Sequence, residues 1–314
     1  MQILNEIKGT IVLGIFVEDK TVNIDPKIDA EINELISKEL IKKDLAKVNK
    51  FFTFGKIKQE QVCLIGLGEK SKYKYQEVAK VSSLINRTID NNIELLVDSF
   101  IGNLDRKEVI KKMLLTINDY TYKYEECKSQ KKDEKFNIKI TSTSSFVNEI
   151  NEVLNLSKAI NNTKDLVNKP YNYLNAVQLA NYAENLVKEL NSSLVKVKIY
   201  NKKEIEKLEM NAFLGVNKGS VDEPRLIHLT YYGNPETKDL ISFVGKGITF
   251  DTGGYSLKTS MNTMKDDMAG AATSLGIFEA VVKNNLKVNI QVVICATDNR
   301  VNGEAYLPDD VLTA

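Results

Sequence analysis

Histidine occurs once in this 314-residue chain, at His228 within the strand-like run Arg225-Leu-Ile-His-Leu-Thr-Tyr-Tyr232. A histidine-based zinc site or a Ser-His-Asp triad therefore has no obvious support. Cysteine is almost as scarce. Cys63, Cys127 and Cys295 are odd in number and far apart, and Cys63 and Cys295 sit in apolar runs. That pattern suits reduced core thiols in the cytoplasm, not a disulfide framework. An excess of one charge is missing as well: 43 Lys and Arg face 42 Asp and Glu, a formal net charge of +1. This gives no general electrostatic case for a nucleic-acid or membrane partner. The lysine-rich run 123–135 is interrupted by acidic residues and reads as a solvated face. No apolar run reaches the roughly 18 residues that span a bilayer. The opening Met1-Gln-Ile-Leu-Asn-Glu-Ile-Lys8 has no apolar core behind a basic head, so no signal peptide is visible. Repeats and low-complexity tracts of consequence are lacking too.

What remains is an ordinary soluble composition, 43% hydrophobic and 27% charged, with length enough for two domains. Hydrophobic periodicity predicts alternating strands and helices. In the first half, strands are expected over 10–16, 61–67, 93–99 and 136–141, and helices over 30–39, 75–91 and 106–117. These define an α/β domain over residues 1–150. The polar stretch 120–135 is expected on a surface. A long helix over about 148–166 breaks at Pro170, so residues 151–170 read as a connecting helix. From 171 to 314 the alternation resumes, with helices over 178–190, 202–207 and 268–282 and strands over 195–200, 226–232, 240–250 and 288–296. The last strand–helix–strand trio is a βαβ unit, which predicts parallel strands. Sites in such sheets collect at the carboxyl ends of strands, and Asp251 stands at one.

The chemistry concentrates in Val244-Gly-Lys-Gly-Ile-Thr-Phe-Asp-Thr-Gly-Gly-Tyr-Ser-Leu-Lys258 and Met264-Lys-Asp-Asp-Met-Ala-Gly-Ala-Ala272. Each residue has a plain structural alternative. Asp251 could simply form a turn before Gly253-Gly254. Asp266 and Asp267 could cap the following helix. Lys246 and Lys258 could be strand-end lysines reaching for solvent. Together, the order Lys-x4-Asp-x6-Lys-x8-Asp around a Gly-Gly pair is specific. A lysine amine ligates a metal only when deprotonated, and nearby divalent ions favour that state. A second, protonated lysine polarises a carbonyl.

That order resembles the core of the M17 leucyl (cytosol) aminopeptidases. Further similar blocks are Asp165-Leu-Val-Asn-Lys-Pro-Tyr-Asn-Tyr-Leu174, Met210-Asn-Ala-Phe-Leu-Gly-Val-Asn-Lys-Gly-Ser220, Glu223-Pro-Arg-Leu-Ile227 and Tyr122-Lys-Tyr-Glu-Glu-Cys-Lys128. The resemblance implies an amino-terminal, macro-like α/β domain and an α/β/α metallo-exopeptidase domain with a mostly parallel sheet. It implies Lys246, Asp251 and Asp267 as metal ligands, with Asp251 bridging, and Lys258 as the catalytic lysine. The implied activity is removal of amino-terminal residues, leucine preferred, from peptides. Two Mn²⁺ or Zn²⁺ ions serve that reaction in a homo-hexamer.

The family's remaining ligands come from an Asn-Thr-Asp-Ala-Glu-Gly-Arg segment, which this sequence does not contain. The chain stops at Leu307-Pro-Asp-Asp-Val-Leu-Thr-Ala314, upstream of where that segment belongs. The resemblance therefore implies a carboxyl-terminally truncated, incomplete catalytic domain, holding at most one ion weakly and hydrolysing peptides poorly or not at all. Thr297-Asp-Asn-Arg300 has the wrong spacing and is expected to be a loop after a strand. Ala269 replaces a usual glycine, and Asp309 stands where the family has a Pro-Gly-Asp turn; a positive φ at a non-glycine residue would cost about 1 kcal/mol or more. A different class of function stays open: a non-catalytic binding or assembly protein, either a DNA-binding accessory protein or a hexamer component.

Overall fold

A computed structural model describes residues 1–88, 91–130 and 135–308. The chain divides into two compact units, Met1–Ser157 and Lys158–Ala314. The division falls within one long helix.

The first unit holds β1 (Gln2–Ile3), β2 (Thr10–Phe16), α1 (Asp29–Ser37), β3 (Val48–Phe52), β4 (Gln61–Gly68), α2 (Tyr75–Thr88), β5 (Asn92–Leu96), α3 (Arg106–Thr121), β6 (Asn137–Thr141) and the start of α4 (Val147–Asn168). Its sheet runs β1-β6-β5-β2-β4-β3 and is parallel except at β3, which pairs antiparallel with β4 on one edge. β2 shows why two faces must be covered. Ile11, Leu13 and Ile15 pack with Ile28, Ile32 and Ile36 of the α1 side, whereas Val12 and Phe16 pack with α2 and α3 residues such as Val81, Met113 and Leu114. Side chains alternate across a strand, so an unbroken apolar run has to be buried on both sides.

The second unit adds α5 (Ala176–Leu190), β7 (Val195–Tyr200), α6 (Lys202–Lys207), α7 (Asn211–Asn217), β8 (Arg225–Tyr232), β9 (Ile241–Asp251), α8 (Ala269–Lys283) and β10 (Asn289–Asn299). The sheet order is β7-β8-β10-β9. β9 and β10 are parallel, as the βαβ pattern requires, but β7–β8 and β8–β10 are antiparallel. The described strands of this sheet are thus mixed, not mostly parallel as expected. Hydrophobic patterning reports burial and carries no sign of strand direction. The core gathers Leu179 and Ala183 of α5, Leu275 and Phe278 of α8, and Val292 and Ile294 of β10. Each such large apolar side chain contributes about 1.5–3 kcal/mol of burial.

Several local expectations shift. The strand expected over 93–99 ends at Leu96, because Ser99 donates its hydroxyl to Leu96 O at 2.6 Å and closes a tight turn over Val97–Phe100. The edge strand β3 and the short helix α7 were not expected. The end of the helix expected over 75–91, part of the polar stretch 120–135, and Asp309 lie outside the described residues. Ala269 opens α8 and does not take a positive φ, so the anticipated strain is not there. Cys63, Cys127 and Cys295 are free thiols. Among the described residues, no helix is long and apolar enough to cross a membrane.

Candidate metal and catalytic site

The site is built at the carboxyl ends of β9 and β10. Asp251 is the last residue of β9. Gly253 and Gly254 follow with φ of 85° and 61°, a left-handed turn that favours glycine. The turn lets the Gly253 amide donate back to Asp251 Oδ1 at 2.8 Å and returns the chain so that the Lys258 amide donates to Thr252 O at 2.9 Å. That return brings the Lys258 ammonium to Asp251 Oδ2 at 2.6 Å. Lys258 also reaches Met264 Sδ at 3.0 Å.

The helix side approaches closely because its residues are small. A Cβ on Gly245 would stand 2.8 Å from Ala271 Cα and 2.9 Å from Gly270 O, so only glycine allows α8 this near β9. Asp267 follows a short 3-10 turn over Met264–Asp266, just ahead of α8. It meets Lys246, an otherwise outward lysine of β9, at 3.2 Å. The contact is a charge attraction without hydrogen-bond geometry: Asp267 Oδ2 is buried and accepts no hydrogen bond. Neither Asp266 nor Asp267 caps α8, because the residue at the cap position is Met268 and no side-chain cap bond forms.

The electrostatics tie the four residues into one cluster. Partial burial would raise the Asp251 carboxyl, but the Lys258 ammonium and the Gly253 and Asn299 donors outweigh it and hold the group below its ordinary value. The bond to Asp251 raises Lys258 above its ordinary value against an opposing desolvation, and the charges of Asp251 and Asp267 add to the rise. Lys258 therefore feels both carboxylates.

One expectation is overturned here. Thr297, Asp298 and Asn299 are not a loop; they continue β10, with a register shift that sets Asn299 opposite Asp251. Asn299 donates its side-chain amide to Asp251 Oδ1 at 2.9 Å, and its carbonyl accepts from Thr252 N at 3.0 Å and Thr252 Oγ1 at 2.8 Å. Asp298 is 1% exposed. It accepts from Arg300 Nε at 2.8 Å and from Ser220 Oγ, and the Tyr171 hydroxyl stands 3.0 Å away. Tyr171 also lies 2.6 Å from Asp222 Oδ2, and the Arg300 guanidinium stacks 4.2 Å over its ring. Burial, followed by these carboxylates, pushes the Tyr171 phenol up. The signal available in sequence was position, since 297–300 follow an apolar strand at the same end of the sheet as Asp251.

The four predicted residues pair as Lys246–Asp267 and Asp251–Lys258. Among the described residues, no three His, Cys, Asp or Glu side chains group to hold a metal. The buried oxygen of Asp267 accepts no hydrogen bond and stands 3.2 Å from the Lys246 ammonium, so it is an acceptor suited to a cation. Asp251 can join only if Lys258 releases Oδ2, because Oδ1 already takes two N–H donors.

Sequence models of the cytosol aminopeptidase family match both units, the amino-terminal domain over residues 12–131 and the catalytic domain over residues 161–314. This chain belongs to the M17 cytosol aminopeptidase family. Solved structures share its fold. The bottromycin maturation enzyme BotP in complex with Mn superposes with a TM-score of 0.80 at 20% identity, over 97% of this chain and 62% of that one. A second BotP structure gives 0.78 at 19%, over 97% and 63%. The cytosol aminopeptidase from Coxiella burnetii gives 0.76 at 21%, over 99% and 63%. The chain thus spans less than two thirds of the length of these relatives.

Proposed function

We propose that this chain carries the first half of a two-metal aminopeptidase site, with Lys246, Asp251 and Asp267 as ligands of one divalent ion and Lys258 as the catalytic ammonium. The carrying observation is the buried Asp267 oxygen that accepts no hydrogen bond while facing Lys246. Mixed oxygen and amine donors suit Mn²⁺ or Zn²⁺ better than Ca²⁺, and the Mn complex of BotP favours Mn²⁺ as the first ion to test. A bound divalent ion polarises the scissile carbonyl and lowers the pKa of water toward neutrality.

The chain's own residues do the rest. Once it has released Asp251 Oδ2 to the ion, the Lys258 ammonium offers its positive charge to the carbonyl oxygen as it becomes an oxyanion. Asn299 and the Gly253 amide hold Asp251 in one orientation. Lys246 serves as a ligand only as the neutral amine, so its proton must leave when the ion enters.

The substrate class of this reading is peptides with a free amino terminus, leucine preferred, and the assembly is a cytoplasmic homo-hexamer. Among the described residues, this reading assigns three donors to one ion and only Asp251 to the other. The expected turnover of leucine amides by this chain is therefore weak or absent. The test is calorimetric titration with Mn²⁺ and Zn²⁺, run beside a leucine-amide assay. One binding event, removed by Asp267→Asn and by Lys246→Met, supports the assignment. Binding indifferent to both substitutions, or robust turnover by this chain alone, overturns it.

A further inference from the structure

The first unit contains a recess that the peptidase reading does not use. In its sheet the chain passes from β2 to β4 on one side, then crosses back to β5 and β6 on the other. The strand order therefore reverses between β2 and β5. In open α/β sheets the crevice beyond the carboxyl ends of strands at such a reversal is where ligands bind. Two adjoining recesses of about 500 Å³ each lie there and share Asp19, Asp98, Ser99 and Thr143. One is floored by Leu13, Val22 and Leu96; the other is walled by Lys70, Arg106, Gly102 and Asn103. Their size is that of a small-molecule site.

Donor and acceptor accounting gives the sign of the ligand. The Asp98 carboxylate is spent. Oδ1 accepts from Ser142 Oγ at 2.6 Å and Arg106 Nη2 at 2.6 Å; Oδ2 accepts from Thr143 N at 2.7 Å and Thr143 Oγ1 at 2.8 Å. Those donors outweigh a partial desolvation and hold Asp98 down at about 2. Asp19 accepts from Phe16 N at 2.9 Å and Lys70 Nζ at 2.7 Å. The acids are thus engaged in fixing the two cations. Arg106 uses only Nη2, for Asp98 and Thr143, which leaves its Nε and Nη1 hydrogens without an acceptor among the described residues. The main-chain amides of Gly102 and Asn103 likewise donate to no described group. Donors are in surplus along one wall, and a guanidinium held by a carboxylate presents a preset fork to an oxyanion.

We infer that this recess binds a small organic phosphate, its phosphate against Arg106, Lys70 and the Gly102–Asn103 amides and its uncharged body along Leu13, Val22 and Leu96. The inference is independent of the metal site, which lies in the other unit.

The probe is adenosine 5′-monophosphate, titrated into the full chain by calorimetry and by ³¹P line width, with inorganic phosphate and adenosine in parallel arms. The expected result is saturable binding of the nucleotide below about 1 mM. Arg106→Gln and Lys70→Gln should each weaken it about tenfold, and Lys203→Gln, an equal charge change in the other unit, should leave it unchanged. Thermal melts accompany each variant; if Arg106→Gln fails to fold, Lys70→Gln decides. Equal affinity for inorganic phosphate means an adventitious ion only and overturns the inference. So does absence of saturable binding, or binding that neither substitution moves.

Discussion

Asn299, the last residue of β10, stands in register with Asp251, the last residue of β9, and donates its side-chain amide to that carboxylate at 2.9 Å. The contact joins two strand ends that are 48 residues apart in the chain. With the Gly253 amide it occupies Oδ1 and leaves Oδ2 to the Lys258 ammonium. Asparagine does this without adding charge, which an aspartate at the same place would do.

Replacing Asn299 with alanine should free Asp251 to rotate. Partners that orient a ligand are worth about 10–100-fold in metal affinity. Asn299→Ala is expected to weaken Mn²⁺ binding within that range while shifting the melting temperature little. Unchanged affinity in a calorimetric titration would show that Asp251 needs no such support.

The Asp251–Lys258 pair fixes a pH dependence. Asp251 is lowered from its ordinary 3.8, so its contribution is present above that value and is lost as pH falls through the lowered one. Lys258 is raised from 10.5, so its contribution is present below 10.5 and is lost as pH rises through the raised value. The pair's own contribution to the denaturant midpoint should be constant between the two limits. Asp251→Asn should lose the acid-side slope that this carboxylate contributes. Parallel acid limbs in the two proteins would show that the pair does not form in solution.

Asp298 carries a structural load. Asp298→Ala would strip Arg300 and Ser220 of their shared acceptor and leave them facing a buried gap. Breaking a buried ion pair costs about 3–5 kcal/mol, and the partial exposure of Arg300 places this one near the lower figure, about 3 kcal/mol. Asp298→Asn, which keeps an acceptor, should cost less. Urea unfolding followed by circular dichroism measures both; equal costs would show that charge and acceptor geometry are irrelevant here.

Gly253→Ala meets two obstacles. Its φ is 85°, and a Cβ would lie 2.4 Å from Ser256 O. Backbone strain of this kind costs about 1–3 kcal/mol. Because the turn returns the chain to Lys258, the substitution is expected to lower Mn²⁺ affinity as well as stability. A variant that loses stability with unchanged affinity would separate the turn from the site.

Much of this protein was legible in one dimension. The α/β alternation followed from periodicity, because apolar runs such as Ile11 to Phe16 need both faces covered whatever surrounds them. The spacing of Lys246, Asp251, Lys258 and Asp267 around two glycines singled out four residues that the fold pairs as Asp251–Lys258 and Lys246–Asp267, since a tight turn at a strand end constrains only local backbone. The tertiary structure decided what local rules cannot reach. Strand direction was one such matter: β8 and β10 pair antiparallel although their side-chain patterns read alike either way. The continuation of β10 through Asp298 and Asn299 was another, because its polar residues satisfy hydrogen bonds to Asp251, Ser220 and Arg300, partners that exist only once the sheet has formed. A polar tetrapeptide after a strand looks like a loop until its acceptors and donors are in place. Burying it costs free energy unless each group is matched, and that matching is a property of the folded chain.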